Sequence, residues 1–254
     1  MLDAAARVNL EPTRALAGEP IMHQARSTLS AALRALLPLR CVFCGGAARG
    51  ADLCQGCLDD LPGRLRPRCP VCAIPEPAAQ TCGACLRDPP AYSRTVAAAD
   101  YAFPLDAAVA RLKYGPDLSL LAPLAHLIAG AVRLAPAADI VVPMPLSAAA
   151  LRARGFNQAT ELARLVVPKL ITALSVHGAA RTRDTARQAA LPFGQRTQNV
   201  RGAFACDGSV AGLRVAILDD VMTTGATVGE LARTLRRAGA VDVTVWVLAR
   251  TPRH

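Results

Sequence analysis

Eight of the nine cysteines fall into one lattice. Cys41 and Cys44 are followed after nine residues by Cys54 and Cys57, and Cys69 and Cys72 after nine by Cys82 and Cys85. This is one module written twice, with Gly45-Gly46 marking a turn in the first copy and Pro70 inside the second knuckle. Each Cys-x-x-Cys wraps one side of a tetrahedral ion and two pairs complete a closed site, so two structural zinc ions are the expected count. Iron-sulfur clusters and redox disulfides are the competing uses of tandem thiolates; the doubled spacing favours zinc, and the flanks carry no redox-domain pattern. Sequential pairing of 41/44 with 54/57 and of 69/72 with 82/85 is the simpler arrangement, though spacing alone leaves a crossed one open. With thiolates in every position no place remains for water or substrate, so neither ion is assigned a catalytic role. Their task is to supply stability that a polar, proline-rich segment cannot draw from an apolar core.

Composition narrows the setting. The 254 residues suffice for one large domain or two smaller ones. Met1-Leu2-Asp3-Ala4-Ala5 lacks the basic start and apolar stretch of a signal peptide, which argues for a cytoplasmic protein over a secreted disulfide scaffold. Arg111, Lys113, Arg133, Arg152 and Arg164 interrupt the Leu- and Ala-rich stretches, so no transmembrane segment is expected. The formal charge is +10, carried by arginine apart from Lys113 and Lys169. Two four-thiolate zinc sites, each carrying a net charge of minus two, would bring it to about +6. Planar guanidinium groups suit phosphates, but basicity does not choose between a small phosphorylated substrate and DNA.

Residues 1–23, with Pro12, Gly18 and Pro20, read as a loose tail, and 24–37 as a helix whose Leu29, Leu33, Leu36 and Leu37 share one core-facing side. The double zinc-ribbon module is expected over 38–90 and an α/β domain over 91–254. Within the latter the strand and helix periods alternate: strand 96–103, helix 105–113, helix 118–134, strand 140–142, strand 171–176, strand 215–218, helix 227–238 and strand 243–248. A largely parallel sheet flanked by helices follows. Cys206 stands outside the lattice and reads as a buried small residue, and His23, His126, His177 and His254 converge on no site.

The chemistry gathers at strand ends, where ligands of parallel sheets bind. Ala216-Ile217-Leu218 delivers Asp219 and Asp220, carboxylates able to accept ribose hydroxyls or help hold hydrated magnesium. Met222-Thr223-Thr224-Gly225-Ala226-Thr227 then opens a helix with hydroxyls, a glycine turn and unpaired amides, a cradle for a phosphomonoester. Taken apart, these features are also ordinary helix capping. A second loop, Pro143-Met144-Pro145 with Arg152 and Arg154, is placed to hold diphosphate from the other side, unless the arginines only face solvent. The segment 181–204, with Arg181, Arg183, Arg187, Arg196 and Arg201, is long for a plain connection and reads as a closing lid or a solvated hairpin. Lys113 reads as a snorkelling helix residue.

These residues resemble the ComF family, which joins a double zinc ribbon to a type I phosphoribosyltransferase domain. The matching features are Cys41-Val42-Phe43-Cys44, Leu53-Cys54-Gln55-Gly56-Cys57, Cys69-Pro70-Val71-Cys72, Cys82-Gly83-Ala84-Cys85, Leu112-Lys113-Tyr114-Gly115, Pro143-Met144-Pro145-Leu146, Arg154-Gly155-Phe156-Asn157-Gln158, Asn199-Val200 and Ala203-Phe204. The stretch 217–227 is similar to the phosphoribosyl pyrophosphate motif. The resemblance implies that Asp219 and Asp220 engage the ribose hydroxyls, that 223–227 surround the 5-phosphate, and that Pro143 to Leu146 with Arg152 and Arg154 face the diphosphate and its magnesium. It also implies a role in natural competence, with single-stranded DNA and competence-machinery proteins as partners.

Two functional classes remain at this level. One is a magnesium-dependent phosphoribosyltransferase whose acceptor the sequence does not name. The other is a DNA-handling protein that keeps the fold without turnover. Aromatic residues near the ribbon are limited to Phe43 and Tyr92, which gives a base-stacking platform little support.

Overall fold

The structure, a computed structural model, describes residues 40–48, 52–115, 117–183 and 196–252. The tail, the expected helix over 24–37 and residues 184–195 of the expected lid lie outside the described residues.

The ribbon carries two short helices, α1 (Gln55–Asp59) and α2 (Gly83–Arg87), each starting at a knuckle cysteine, Cys54 or Cys82. The α/β part then runs β1 (Arg94–Asp100), α3 (Leu105–Tyr114), α4 (Leu121–Val132), β2 (Ile140–Pro143), α5 (Ala148–Arg154), α6 (Gln158–Val166), β3 (Ala173–Leu174), β4 (Ala179–Arg181), α7 (Arg196–Val200), β5 (Phe204–Cys206), β6 (Arg214–Met222), α8 (Ala226–Arg237) and β7 (Asp242–Arg250). Five strands form one sheet in the order β1-β7-β6-β2-β3, every neighbouring pair parallel. A small antiparallel ribbon of β4 and β5 stands apart. The largely parallel sheet flanked by helices is the arrangement expected.

The central strands explain why this sheet is parallel. Val215 to Leu218 and Val243 to Ala249 are buried without a break, apart from the small polar Thr244, itself buried. Strands covered on both faces need such runs, whereas a half-solvated strand would alternate. The amphipathic helices do the covering: α4 and α6 pack on one another and on the sheet, and α8 packs against β6 and β7. Among the described residues no helix is long and apolar enough to cross a membrane.

Several boundaries differ from the sequence reading. Strand β6 continues four residues past Leu218, because its pairing with β7 persists through Asp219↔Val247, Val221↔Ala249 and Met222↔Arg250. Hydrogen bonding to a neighbour, which a single strand's pattern does not reveal, carries the polar residues along. The strand expected over 171–176 shrinks to Ala173–Leu174, since only Ile140 and Val141 of β2 reach it. The helix expected over 118–134 opens with a 3-10 turn at Leu118–Leu120, where the Asp117 carboxylate accepts the Ser119 amide. Cys206 is half-buried on β5 rather than buried.

The ribbon is fastened along β1. The Thr95 amide donates to the Pro70 carbonyl at 3.0 Å and the Asp100 amide to that of Pro62 at 2.7 Å. The buried Asp100 carboxylate lies 2.8 Å from Arg68 and 3.4 Å from Arg66. A buried carboxylate held by two guanidinium groups is expensive to separate from either.

Candidate functional site

The two copies of the cysteine module fold alike. Cys41, Cys44, Cys54 and Cys57 converge in one cluster and Cys69, Cys72, Cys82 and Cys85 in another, the ligand atoms of each within 4.8 Å of one another. Pairing is therefore sequential. The Cys44 and Cys54 sulfurs are 3.7 Å apart and those of Cys72 and Cys82 3.6 Å apart. Four thiolates at about 2.3 Å from a tetrahedral ion stand about 3.8 Å from each other, so both clusters fit zinc. Backbone amides serve the sulfurs as well: Gly46 donates to Cys44, Cys57 to Cys54 and Cys82 to Cys69. Burial alone would raise the thiols, yet amide donors bring Cys41 down to about 6 and Cys69 to about 7.

One element of the repeat escaped the sequence reading. Arg40 and Arg68 each precede the first cysteine of a copy, and each guanidinium donates back across the knuckle, to Gly45 O at 3.1 Å and Ala73 O at 3.0 Å. Gly45 and Ala73 both adopt positive φ, +71° and +56°, to close the turn. Aligning the two copies on their cysteines would have revealed the paired arginines.

At the end of β6 the acidic pair meets a lysine. The Lys113 ammonium, from the last turn of α3, lies 2.8 Å from Asp220 Oδ2, with side-chain exposures of 19 % and 4 %. Its expected reading as a snorkelling residue is thus corrected: the helix aims the amine inward at a buried carboxylate. Burial opposes its charge, but attraction to Asp220, the hydrogen bond between them and the nearby Asp219 together raise its pKa. The remaining Asp220 oxygen accepts the Val221 amide at 2.7 Å, and Asp219 Oδ1 accepts that of Asp220 at 2.8 Å. Among the described residues, Asp219 makes no ion pair. Burial, then the Asp220 carboxylate beside it, push its carboxyl up to about 8 against the pull of Lys113.

The following loop lies open. Thr223 is exposed and Thr224 to Thr227 are half-buried, whereas Met222 beneath them is 2 % exposed. Gly225 caps α8 with φ +86°, and the Thr224 hydroxyl accepts the Ala226 amide at 3.2 Å. A helix start leaves its first amides without intrahelical acceptors, and this one follows the end of β6 at Met222 by a short turn. A Cβ on residue 225 would come within 2.9 Å of the Met222 methyl and 3.1 Å of the Tyr92 hydroxyl, so glycine is required by space as well as by φ.

On the other flank β2 runs into Pro143, Met144 and Pro145, all buried. The Met144 amide donates to Leu218 O at 2.8 Å and its carbonyl accepts Asn157 Nδ2 at 3.0 Å, so this stretch is bound to β6 on one side and to the cap of α6 on the other. Arg152 and Arg154 lie in the last turn of α5. Arg154 reaches the acidic site, stacking 5.8 Å over the Tyr114 ring and opposing the Lys113 charge. Arg152 is exposed. At the base of the expected lid, the Arg183 guanidinium donates to the Asn199 and Arg201 carbonyls, and the Gly202 amide donates to the buried Glu230 of α8 at 2.8 Å.

Arg250, also missed from sequence, is the last residue of β7 and only 1 % exposed. Its Nε donates to Cys72 O at 2.8 Å, and its Nη1 to Met222 O and Thr251 O at 3.0 and 2.8 Å and to Thr223 O. The one available signal was a charge ending an otherwise buried strand.

A module with two four-cysteine clusters fit for zinc, joined to a parallel α/β domain whose central strand carries an acidic pair before a helix start, defines the class of protein. The double zinc ribbon domain family matches residues 32–86. The chain is 38 % identical to the DNA utilization protein YhgH of Salmonella typhi over 169 residues, 64 % of this chain and 74 % of that protein. It is 32 % identical to Competence protein F of Haemophilus influenzae over 228 residues, 83 % of this chain and 96 % of that one. A shorter stretch of 44 residues is 52 % identical to an orotate phosphoribosyltransferase of a Nocardioides species, 17 % of this chain and 25 % of that protein. The chain belongs to the competence protein F (ComF) family.

Proposed function

We propose that the protein binds phosphoribosyl pyrophosphate with magnesium at the ends of β2 and β6 and acts as a phosphoribosyltransferase in the uptake and use of DNA. The observation that carries this reading is the adjacency of Asp219 and Asp220 to the open Thr223–Thr227 turn on α8. The orotate phosphoribosyltransferase match and the names of the two longer relatives support it.

In this reading the α8 amides and the Thr223, Thr224 and Thr227 hydroxyls take the 5-phosphate. Asp219 accepts the ribose hydroxyls, while Asp220, held by Lys113, fixes the electrostatic field next to it. Arg154 and Arg152 offer cationic hydrogen bonds to the diphosphate, and the backbone from Pro143 to Pro145 sets the distance between the two halves of the site. Magnesium, held by diphosphate oxygens with Asp219 as the available protein carboxylate, would neutralise leaving-group charge. In transfer, the C1–O bond breaks with its electron pair going to diphosphate, a nitrogen acceptor forms the C1–N bond, and the acceptor's proton passes to solvent. The carboxylates favour the positive sugar that develops between these events. The acceptor belongs to the nitrogen nucleophiles as a class.

The test is calorimetric titration of the zinc-loaded chain with magnesium phosphoribosyl pyrophosphate, followed by an assay of diphosphate release over a panel of nitrogen acceptors. Asp219→Asn and Asp220→Asn are expected to remove both binding and release; turnover unchanged in both variants refutes the transferase reading. Salt-sensitive binding of single-stranded DNA without ligand consumption would favour the non-catalytic reading, for which the +10 charge speaks.

A further inference from the structure

The second zinc site and the phosphate loop share a wall. Cys72, Cys85, Tyr92, Thr224, Gly225 and Arg250 line one cavity of about 360 Å³ between the ribbon and the start of α8. Arg250 crosses that wall. Its Nε is bound to the carbonyl of Cys72, a member of the second cluster, and its Nη1 to the carbonyls of Met222 and Thr223, where the loop begins. The guanidinium fork is planar and rigid, so a shift of the Cys72 carbonyl at one end must turn the group at the other. Tyr92, 5 % exposed, lies against Gly225 and limits the space the loop has for yielding. The first cluster has its own arginine, Arg40, but that guanidinium closes on its own knuckle at Gly45 O.

We propose that Arg250 is a positioning residue that couples zinc at Cys69, Cys72, Cys82 and Cys85 to the shape of the 223–227 loop, so that phosphomonoester binding depends on the second zinc and not on the first. The dependence on phosphate rests on the reading given under Proposed function; the coupling of zinc to loop shape does not. Loss of the second ion releases the Cys72 knuckle, the Arg250 fork loses its fixed end, and the Met222 and Thr223 carbonyls turn with it. The amides of the next residues then no longer converge on one anion.

The test uses the full-length chain, ribose 5-phosphate as probe, and hydrogen exchange over 222–227 measured without any ligand. Arg250→Met and Cys85→Ser are each expected to weaken ribose 5-phosphate binding at least about tenfold, as small misplacements of a site do, and to speed exchange over 222–227. Cys44→Ser, which disables the first cluster, is expected to change neither. Combining Arg250→Met with Cys85→Ser is expected to cost no more than either alone, because both break one link. Arg250→Lys, whose single ammonium can hold the loop or the knuckle but not both, is expected to exchange at an intermediate rate. Unchanged binding and exchange in a folded Arg250→Met, or equal effects of Cys85→Ser and Cys44→Ser, would overturn the proposal. If Arg250→Met does not fold, the contrast between the two cysteine variants decides alone. If the unmodified chain fails to bind ribose 5-phosphate, the phosphate reading falls while the exchange contrast still judges the coupling.

Discussion

Replacing Lys113 with methionine isolates the ion pair at the heart of the site. The ammonium lies 2.8 Å from a carboxylate that is 4 % exposed. At an effective dielectric constant of about 20 the attraction at that distance is about 6 kcal/mol. Much of it offsets the loss of hydration, and removing one member of such a pair typically costs about 3–5 kcal/mol because the other stays buried and unpaired. Methionine keeps most of the packing volume, so the cost is chiefly electrostatic. Asp219, already raised to about 8 by burial and by Asp220, loses the pull of Lys113 and is pushed up further. In the variant the Asp219 carboxyl then holds, in the folded state, a proton that the unfolded chain has released. By linkage, stability falls as pH rises from the ordinary carboxylate range towards that raised value. Urea denaturation of zinc-loaded protein should therefore show Lys113→Met about 3 kcal/mol or more below the parent at pH 8, with a smaller gap at pH 6. Adding Asp220→Asn should recover most of the loss at pH 8. A gap under about 1 kcal/mol at pH 8 would place the pair among exposed bridges of little worth, and a gap equal at both pH values would refute the stranded-carboxylate argument.

Gly225→Ala forces a left-handed backbone and a 2.9 Å approach to Met222, and should cost about 1–3 kcal/mol, read as a lowered melting temperature together with weakened ribose 5-phosphate binding. Affinity for magnesium phosphoribosyl pyrophosphate should rise as pH rises towards about 8 and be accompanied by proton release in calorimetry, since Asp219 must ionise to face the cation; Asp219→Asn should abolish the release. The same raised carboxyl makes the folded protein lose stability from the ordinary carboxylate range up to about pH 8, so Asp219→Asn should be more stable than the parent at pH 8 while failing to bind. Metal analysis should find two zinc ions per chain, and Cys44→Ser should leave one.

The parts most legible in sequence were those set by local chemistry. Cysteine spacing identified both metal sites, because a tetrahedral ion imposes its own geometry on any chain that wraps it. The unbroken apolar runs of β6 and β7 marked a parallel sheet, and Thr223 to Thr227 announced a helix start. What escaped depended on contacts between distant segments. The length of β6 past Leu218 is decided by β7, and the role of Lys113 by a strand more than a hundred residues further on. Arg250 carried no motif, and its function exists only where Cys72 and Met222 approach it. The Pro143–Pro145 stretch was expected to face a ligand; its side chains are buried and both backbone groups of Met144 are engaged.

The Pro70 and Pro62 carbonyls that take the Thr95 and Asp100 amides also restrict how copies of this molecule can meet. An outermost strand with free amides invites a second chain to extend the sheet. Here one margin is engaged at Thr95 and Asp100 by the chain's own cysteine-rich segment, and the opposite margin ends in Ala173–Leu174, two residues long. Among the described residues, both borders therefore leave limited room for a further strand to align. Contacts between copies of the described residues would then fall to side-chain surfaces more than to the ends of the sheet.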